Sequence, residues 1–577
     1  RMSALSSKLV GTRVEDLLLT LMEIHAFLLG MYVRSIKRKN KDGSEVEYIQ
    51  LAHNTRHPEK GYTRAEVVYS FGRRDQLDVA ALKRLVSSLS RFISPEDAQE
   101  LEAQGTGLKF ISSRPAGGAL LLKGLWKRIG IDRCLSEALK SRDFTTPIGD
   151  ALFAMVANRA LAPASKLAVE EWAAKDVHLD IEQPIQVQHL YRSMDFLLEH
   201  EAVIQEKVFW ATAHLLNLTV DLIFFDTTNT YFEMEDPGDS DLLAYGKSKH
   251  KRDDLPQVTI GLAVTREGIP VRCWVLPGNQ NDAKCVDQVQ KDMNDWKLGN
   301  VIWAMDRGMT SEENRRNLQR AGGQYILGEK LRGTTINEEV LNRGGRFKII
   351  KENLHIKEVF AGEGAGRRRF VIAYNPEQAE HDRHVRKRNL ERIKAELEAL
   401  EKQSGKAYLK TKYALLAHRS MSRYLKELKS GKLTVDTAKV KKAEKLDGKY
   451  LLSTSDKSLS AEDIALGYKQ LMEVERAFRT LKSTLSLRPV YHTRSDRIRS
   501  HVMLCWLALL LVRVTELETG MTWPRARAEL ERLHLGEFLH KDGRILQYTE
   551  PTQAQRKILK KLKISIPKRV KSFTGTP

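Results

Sequence analysis

The sequence predicts an α/β protein with its strands gathered centrally, a small β module and an α-rich region before them, and an insertion inside them. Three observations lead there. Strand-forming runs cluster in residues 218–276 and 300–328. From Asp78 to about Ala213 the pattern is helical, punctuated by Thr146-Pro147 and Pro163. Residues 32–72 alternate apolar and polar positions around Asp42-Gly43 and Lys60-Gly61, which is hairpin chemistry.

Within the central block the order is informative. Leu222-Ile-Phe-Phe runs into Asp226, and Val258 to Thr265 and Ile269 to Leu276 form a hairpin across Arg266-Glu-Gly268. Val301-Ile-Trp-Ala-Met ends in Asp306, a helix follows from Glu312 to Arg320, and Gln324-Tyr-Ile-Leu gives another strand. Three antiparallel strands followed by a strand–helix–strand unit is the order of an RNase-H-like core. Short strands are then expected at 334–375, followed by a charged helix in which Leu390, Ile393, Leu397 and Leu400 keep 3-4-3 spacing. A second helix, Tyr413 to Leu428, should pack back on it. Lys449-Tyr-Leu-Leu reads as a returning strand, and Ala461 to Lys482 as one strong helix.

At 577 residues the chain exceeds one core, and 42% hydrophobic residues suffice for several. The balance is basic: 95 Lys+Arg against 74 Asp+Glu, net +21, which points to a polyanionic partner such as nucleic acid. Lys37, Arg38, Lys39, Lys41, Arg56, Lys60 and Arg64 make the β module positive, and Pro551 onward carries Lys and Arg but no acid. Cys134, Cys273, Cys285 and Cys505 show no CxxC pairing, which argues against a zinc site or disulfide framework and fits a reducing cytoplasm. The apolar runs Leu17–Leu29 and Val502–Val514 are too interrupted or too short to span a bilayer and read as buried helices, so no membrane partner is expected. The first thirty residues read as a lone amphipathic helix or as an extension upstream of a start at Met31.

Two-metal phosphoryl chemistry needs a few carboxylates converging on one point, because Mg²⁺ or Mn²⁺ takes oxygen ligands and DNA phosphate and water complete its shell. Asp226 and Asp306 each follow an apolar strand run, where a charge is expensive unless paired with a cation. In the 461–482 helix, Tyr468, Glu475 and Lys482 are seven residues apart; each step drifts about 20°, so they share one face.

At these residues the chain resembles the DDE transposases of the insertion sequence four superfamily, closest to the insertion sequence 1634 branch. Their last catalytic helix carries YxxRxxxExxxxxxK; here it reads YKQLMEVERAFRTLK. Phe225-Asp226-Thr-Thr-Asn-Thr-Tyr-Phe resembles the first Asp motif and Ala304-Met-Asp306-Arg-Gly-Met the second. Asp254-Leu-Pro-Gln-Val, Gly278-Asn-Gln-Asn-Asp282, the 158–168 segment and Arg488-Pro-Val-Tyr-His492 also look like this branch. The resemblance implies catalytic and metal-binding roles for Asp226, Asp306 and Glu475, two Mg²⁺ or Mn²⁺ ions, and DNA contacts from Tyr468 and Lys482. Leu471 stands where the family has Arg, and Arg479, one turn after Glu475, is expected to supply that charge. Asp282 is a possible supporting residue; Asp221 and Glu473 are not expected in the site.

The expected organisation is a 1–30 helix or extension, a 31–75 basic β module and a 76–215 helical DNA-binding or dimerisation region. An RNase-H-like core follows in two parts, 216–330 and 449–520, around a 331–448 insertion, and a basic 521–577 region ends the chain. The expected partner is double-stranded DNA, both terminal inverted repeats and target, bound by a homodimer in a prokaryotic, nucleoid-associated, cytoplasmic setting. The other readings are a non-catalytic DNA-binding derivative and a stand-alone RNase-H-like nuclease. If cleavage passes through a DNA hairpin, Phe347, Phe360 or Tyr374 would have to stack on an extruded base, since no Trp occurs from 331 to 448.

Overall fold

The computed structural model describes residues 31–39, 44–56, 63–89, 94, 109–140, 146–293, 296, 298, 301–320, 323–364, 367–418, 420–540 and 543–575. The expected N-terminal helix, Asp42-Gly43 and Lys60-Gly61 lie outside them. The chain divides into two units, residues 1–108 and 109–577.

The first unit is an antiparallel sheet of β1 (Met31–Lys39), β2 (Glu45–Arg56) and β3 (Thr63–Arg73), with β2 central. Pairing runs from Met31 with His53 to Lys39 with Glu45, and from Tyr48 with Arg73 to Arg56 with Thr63. The Val79–Leu89 helix brings Leu82 and Leu85 to a cavity they share with Leu51, Tyr69 and Phe71 of the sheet.

The second unit is built on a nine-stranded mixed sheet. Its strands are β5 (Leu222–Tyr231), β6 (Gln257–Thr265), β7 (Pro270–Pro277), β8 (Ile302–Met305), β9 (Gln324–Glu329), β10 (Lys348–Lys351), β11 (Leu354–Ala361), β12 (Arg368–Tyr374) and β15 (Lys449–Thr454). Their order is β10-β11-β12-β15-β9-β8-β5-β6-β7. β5 to β7 are antiparallel, whereas β8 runs parallel to β5 and β9 parallel to β8. The strands following β9 therefore extend the same ladder, because β15 pairs with both β9 and β12.

Successive strand residues point to opposite faces, and β5 divides its side chains accordingly. Leu222 and Phe224 enter one core with the Ile148–Leu161, Val187–Glu199 and Ser495–Thr519 helices; Ile223 and Phe225 enter another with Trp274, Val286 and Val289. The Ser495–Thr519 helix is buried along nearly its whole length, and each large apolar side chain so buried contributes about 1.5–3 kcal/mol. It is longer than the Val502–Val514 run suggested. By length and composition it could cross a membrane, but 89% of its most apolar window is buried inside the protein.

Several local expectations differ. A helix, Thr335–Asn342, precedes the strands of the 334–375 stretch. The helix packing back on Pro376–Glu401 spans Gly405–Ala417 rather than Tyr413–Leu428, since the backbone turns extended at His418. Ile393, Leu400 and Leu415 still form the buried core of that helical hairpin, and the short paired strands β13 (Leu425–Glu427) and β14 (Leu433–Val435) follow it. A further strand, β4 (Lys109–Pro115), pairs with β16 (His534–His540) in a sheet completed by β17 (Gly543–Tyr548) and β18 (Val570–Gly575). The basic C-terminal segment is thus folded in, with Ile558, Leu559 and Leu562 buried.

Candidate active site

Asp226 is the fifth residue of ten-residue β5, so it lies inside a strand rather than at the strand end its apolar run suggested. Asp306 directly follows β8. Because Phe225 pairs with Met305 in parallel register, the two aspartates come next on adjacent strands. Both continue the alternation of Phe224 and Ala304, the face covered by Val474, Ala477, Phe478 and Leu481. Asp226, Asp306, Tyr468, Leu471 and Glu475 line one cavity of about 460 Å³.

The single helix expected over Ala461–Lys482 is broken. It comprises Ala461–Lys469, Met472–Arg479 and a π-helical turn at Thr480–Thr484. At the first junction Gln470 N–H donates to Gly467 O (2.9 Å), Leu471 N–H to Tyr468 O (3.0 Å) and Glu473 N–H to Gln470 O (2.8 Å). These i→i−3 bonds overwind the chain and the π turn underwinds it, so the seven-residue face is not a straight line. Its ends nonetheless reach the two aspartate strands. Tyr468 Oη donates to Asp306 Oδ1 at 3.2 Å, and Lys482 Nζ donates to Thr228 Oγ1 at 2.5 Å. Gly328 on β9 makes the first contact possible, since a Cβ there would collide with the Tyr468 hydroxyl.

Burial raises the Asp226 pKa, as do Asp306 and Asp282 nearby, against the lowering influence of Lys249. Lys249 Nζ lies 3.7 Å from Asp226 Oδ1 and 3.8 Å from Asp282 Oδ2, and donates to Thr227 O at 2.6 Å. Thr227 Oγ1 donates to Asp282 Oδ1 at 2.6 Å. Lys249 therefore joins the carboxylate of Asp226 on β5 to that of Asp282, the first residue of the Asp282–Met293 helix. Burial lowers the Lys482 pKa, as do Arg488 and Lys249, and raises that of Tyr468, with Asp306 adding to the effect.

The other carboxylates have structural partners. Asp221 pairs with Arg266 at 3.0 Å, and Glu473 with buried Arg513 at 3.0 Å. Arg479 is exposed. Leu471 packs against the main core. Phe347 and Tyr374 stand 5.9 Å apart beside a second cavity, and Phe360 is exposed. Sequence reasoning missed Lys249, Thr227 and Gly328. Lys249 belongs to a polar run without periodicity, Lys247-Ser-Lys-His-Lys-Arg252, and only the folded loop reveals its return to β5.

Two family models match this chain. Residues 237–511 match the transposase DDE domain, and residues 33–100 match the N-terminal domain of the IS1634 family transposases. The chain belongs to the DDE transposases. The DDE match includes Asp306 and Glu475 and begins after Asp226. Among solved structures, this transposase is similar to a piggyBac transposase synaptic complex with hairpin DNA, at 12% identity and a TM-score of 0.35 over 72% of this chain and 79% of that one. No curated protein matches it.

Membership implies dependence on a divalent metal. Among the described residues no three His, Cys, Asp or Glu side chains are already gathered into a cage. The donors nevertheless fit a hard cation: they are carboxylate oxygens, and an ammonium group already sits between Asp226 and Asp282.

Proposed function

We propose that this transposase binds the terminal inverted repeats of an insertion sequence, cuts the DNA ends and joins the freed 3′-hydroxyl to target DNA. The β5–β8 register carries the reading, because it sets Asp226 beside Asp306 on the wall of the cavity that Glu475 also lines. The order β7-β6-β5-β8-β9 supports an RNase-H-like core, with the strands and helical hairpin between β9 and β15 as its insertion.

Asp226, Asp306 and Glu475 would hold two Mg²⁺ or Mn²⁺ ions. When bound, these supply an activated water and stabilise the leaving oxygen. Tyr468 holds Asp306 by donating to Oδ1, which fixes that carboxylate's orientation. Lys482, tethered at Thr228, offers its ammonium to the phosphate of the bound end, and Arg479 adds exposed charge one turn from Glu475. Asp282 and Lys249 brace Asp226 through Thr227. The protein acts on double-stranded DNA as a homodimer, in the cytoplasm at the nucleoid.

The test is Mg²⁺-dependent cleavage of the element's own terminal-repeat DNA. The native protein should nick the repeat ends. A protein that binds those ends but leaves them uncut with Mg²⁺ and with Mn²⁺ would refute catalysis.

A further inference from the structure

Beside the catalytic cavity lies a larger one of about 770 Å³, lined by Lys247, Arg307, Lys330, Arg332 and Arg423. The five come from four separate segments: the loop before β6, the residues after β8, those after β9, and the turn following the helical hairpin. All five are exposed. None has a carboxylate partner among the described residues. The acidic groups of this cavity are already engaged: Asp447 pairs with Arg386, and Asp382 accepts from Gln378 Nε2 at 2.8 Å and Gly448 N at 2.9 Å. Arg307 and Leu331 line both cavities, so the two adjoin.

Like charges converging on one concavity repel, and a low-dielectric wall strengthens that repulsion. Scattered surface cations would spread out; these are held together by four chain segments. The partner that offsets the repulsion is a run of phosphates. We propose that this cavity is a track for the phosphodiester backbone of one substrate strand as it leaves the catalytic centre on one side of the scissile phosphate. The inference rests on the function proposed above and adds the course of the strand. Arg307 stands at the junction, and Lys247, Lys330, Arg332 and Arg423 line the path away from it.

The test replaces Lys247, Lys330, Arg332 and Arg423 by Ala together and leaves Arg307 intact. Affinity is measured by fluorescence anisotropy between 50 and 200 mM salt, for a full terminal-repeat duplex and for two duplexes ending at the cleavage position, one from each side. Each lost phosphate contact lowers the log–log salt slope by about 0.9. The fourfold variant should therefore lose a slope of roughly 3–4 on the full duplex, which is about a hundredfold less affinity change across that salt range. The same loss should occur with one truncated duplex and be absent with the other.

An equal effect on both truncated duplexes, or none on the full one, would overturn the track. Saturable binding of inorganic phosphate, abolished in the variant, would assign the cavity to a small anion instead. Unchanged melting temperature, together with recovery by Lys247→Arg and Lys330→Arg in place of the two alanines, excludes a folding defect. Failure of the native protein to bind any of the three duplexes would sink the parent function as well. Binding without cleavage would sink only the catalytic reading.

Discussion

Glu473 and Glu475 are two residues apart, yet their surroundings differ enough that one pair of variants can test the proposed site. Glu473 Oε2 accepts from Arg513 Nη2 at 3.0 Å. Arg513 is 6% exposed and is also held by Glu516 at 2.8 Å and by the carbonyls of Glu267 and Gly268. Removing the sole partner of a buried charge costs about 3–5 kcal/mol. Here Glu516 remains, so Glu473→Ala should cost about 1–3 kcal/mol. Unfolding entropy of about 2.1 cal/mol/K per residue, over the roughly 470 residues of the second unit, converts this to a melting shift of about 1–3 °C. Glu475 is exposed, with no ion pair among the described residues, so Glu475→Ala should leave the melting temperature within about 0.5 °C. Cleavage should reverse the ranking. Glu473→Ala retains it, whereas Glu475→Ala loses more than the 10–100-fold typical of outer-shell changes at metal sites. Scanning calorimetry and a gel assay on end DNA suffice. Wild-type cleavage by Glu475→Ala, or a folded but inactive Glu473→Ala, would refute the assignment.

Other outcomes follow from the same geometry. Gly328→Ala should displace the Tyr468 hydroxyl from Asp306 and lower cleavage as much as Tyr468→Phe does, with no further loss in the double variant; additive losses would disprove the shared cause. Asp226→Ala and Asp306→Ala should each abolish both cutting and joining while end binding holds or tightens, since fewer negative charges face the phosphates; a variant that cuts but cannot join would contradict one shared centre. Burial, reinforced by Arg159, lowers the Lys166 pKa from 10.5 to about 7. Between pH 7 and 10.5 the unfolded chain therefore binds the extra proton and stability rises with pH. Lys166→Met should flatten that rise in calorimetric scans, and an unchanged slope would show that Lys166 is not its source.

Much of this was legible because strands buried on both faces carry continuous apolar runs. The apolar runs before Asp226 and Asp306 marked β5 and β8, and the Gly268 turn marked the β6–β7 hairpin. The 3-4-3 apolar spacing of Leu390, Ile393, Leu397 and Leu400 marked the helical hairpin, although its second helix ends at Ala417. The broken helix was not legible, since nothing in Tyr468-Lys-Gln-Leu-Met disfavours a continuous helix and the overwound turn at Gln470–Leu471 is visible only in its backbone bonds. β4 was missed because its partner lies at the other end of the chain. Lys249 was missed for a similar reason, since its role is set by where a polar loop folds back.

The pairing of β4 with β16 joins Ser113 to His534 across 421 residues. At synthesis rates of about 5–20 residues per second, a nascent chain carries β4 without its neighbour for roughly 20–80 s. Its exposed Phe110 and Ile111 then belong to an open strand edge, the kind of template on which chains aggregate. A ribosome that stops before β16 is made releases a product that cannot close this sheet. Premature termination should therefore yield insoluble fragments rather than soluble, partly folded proteins.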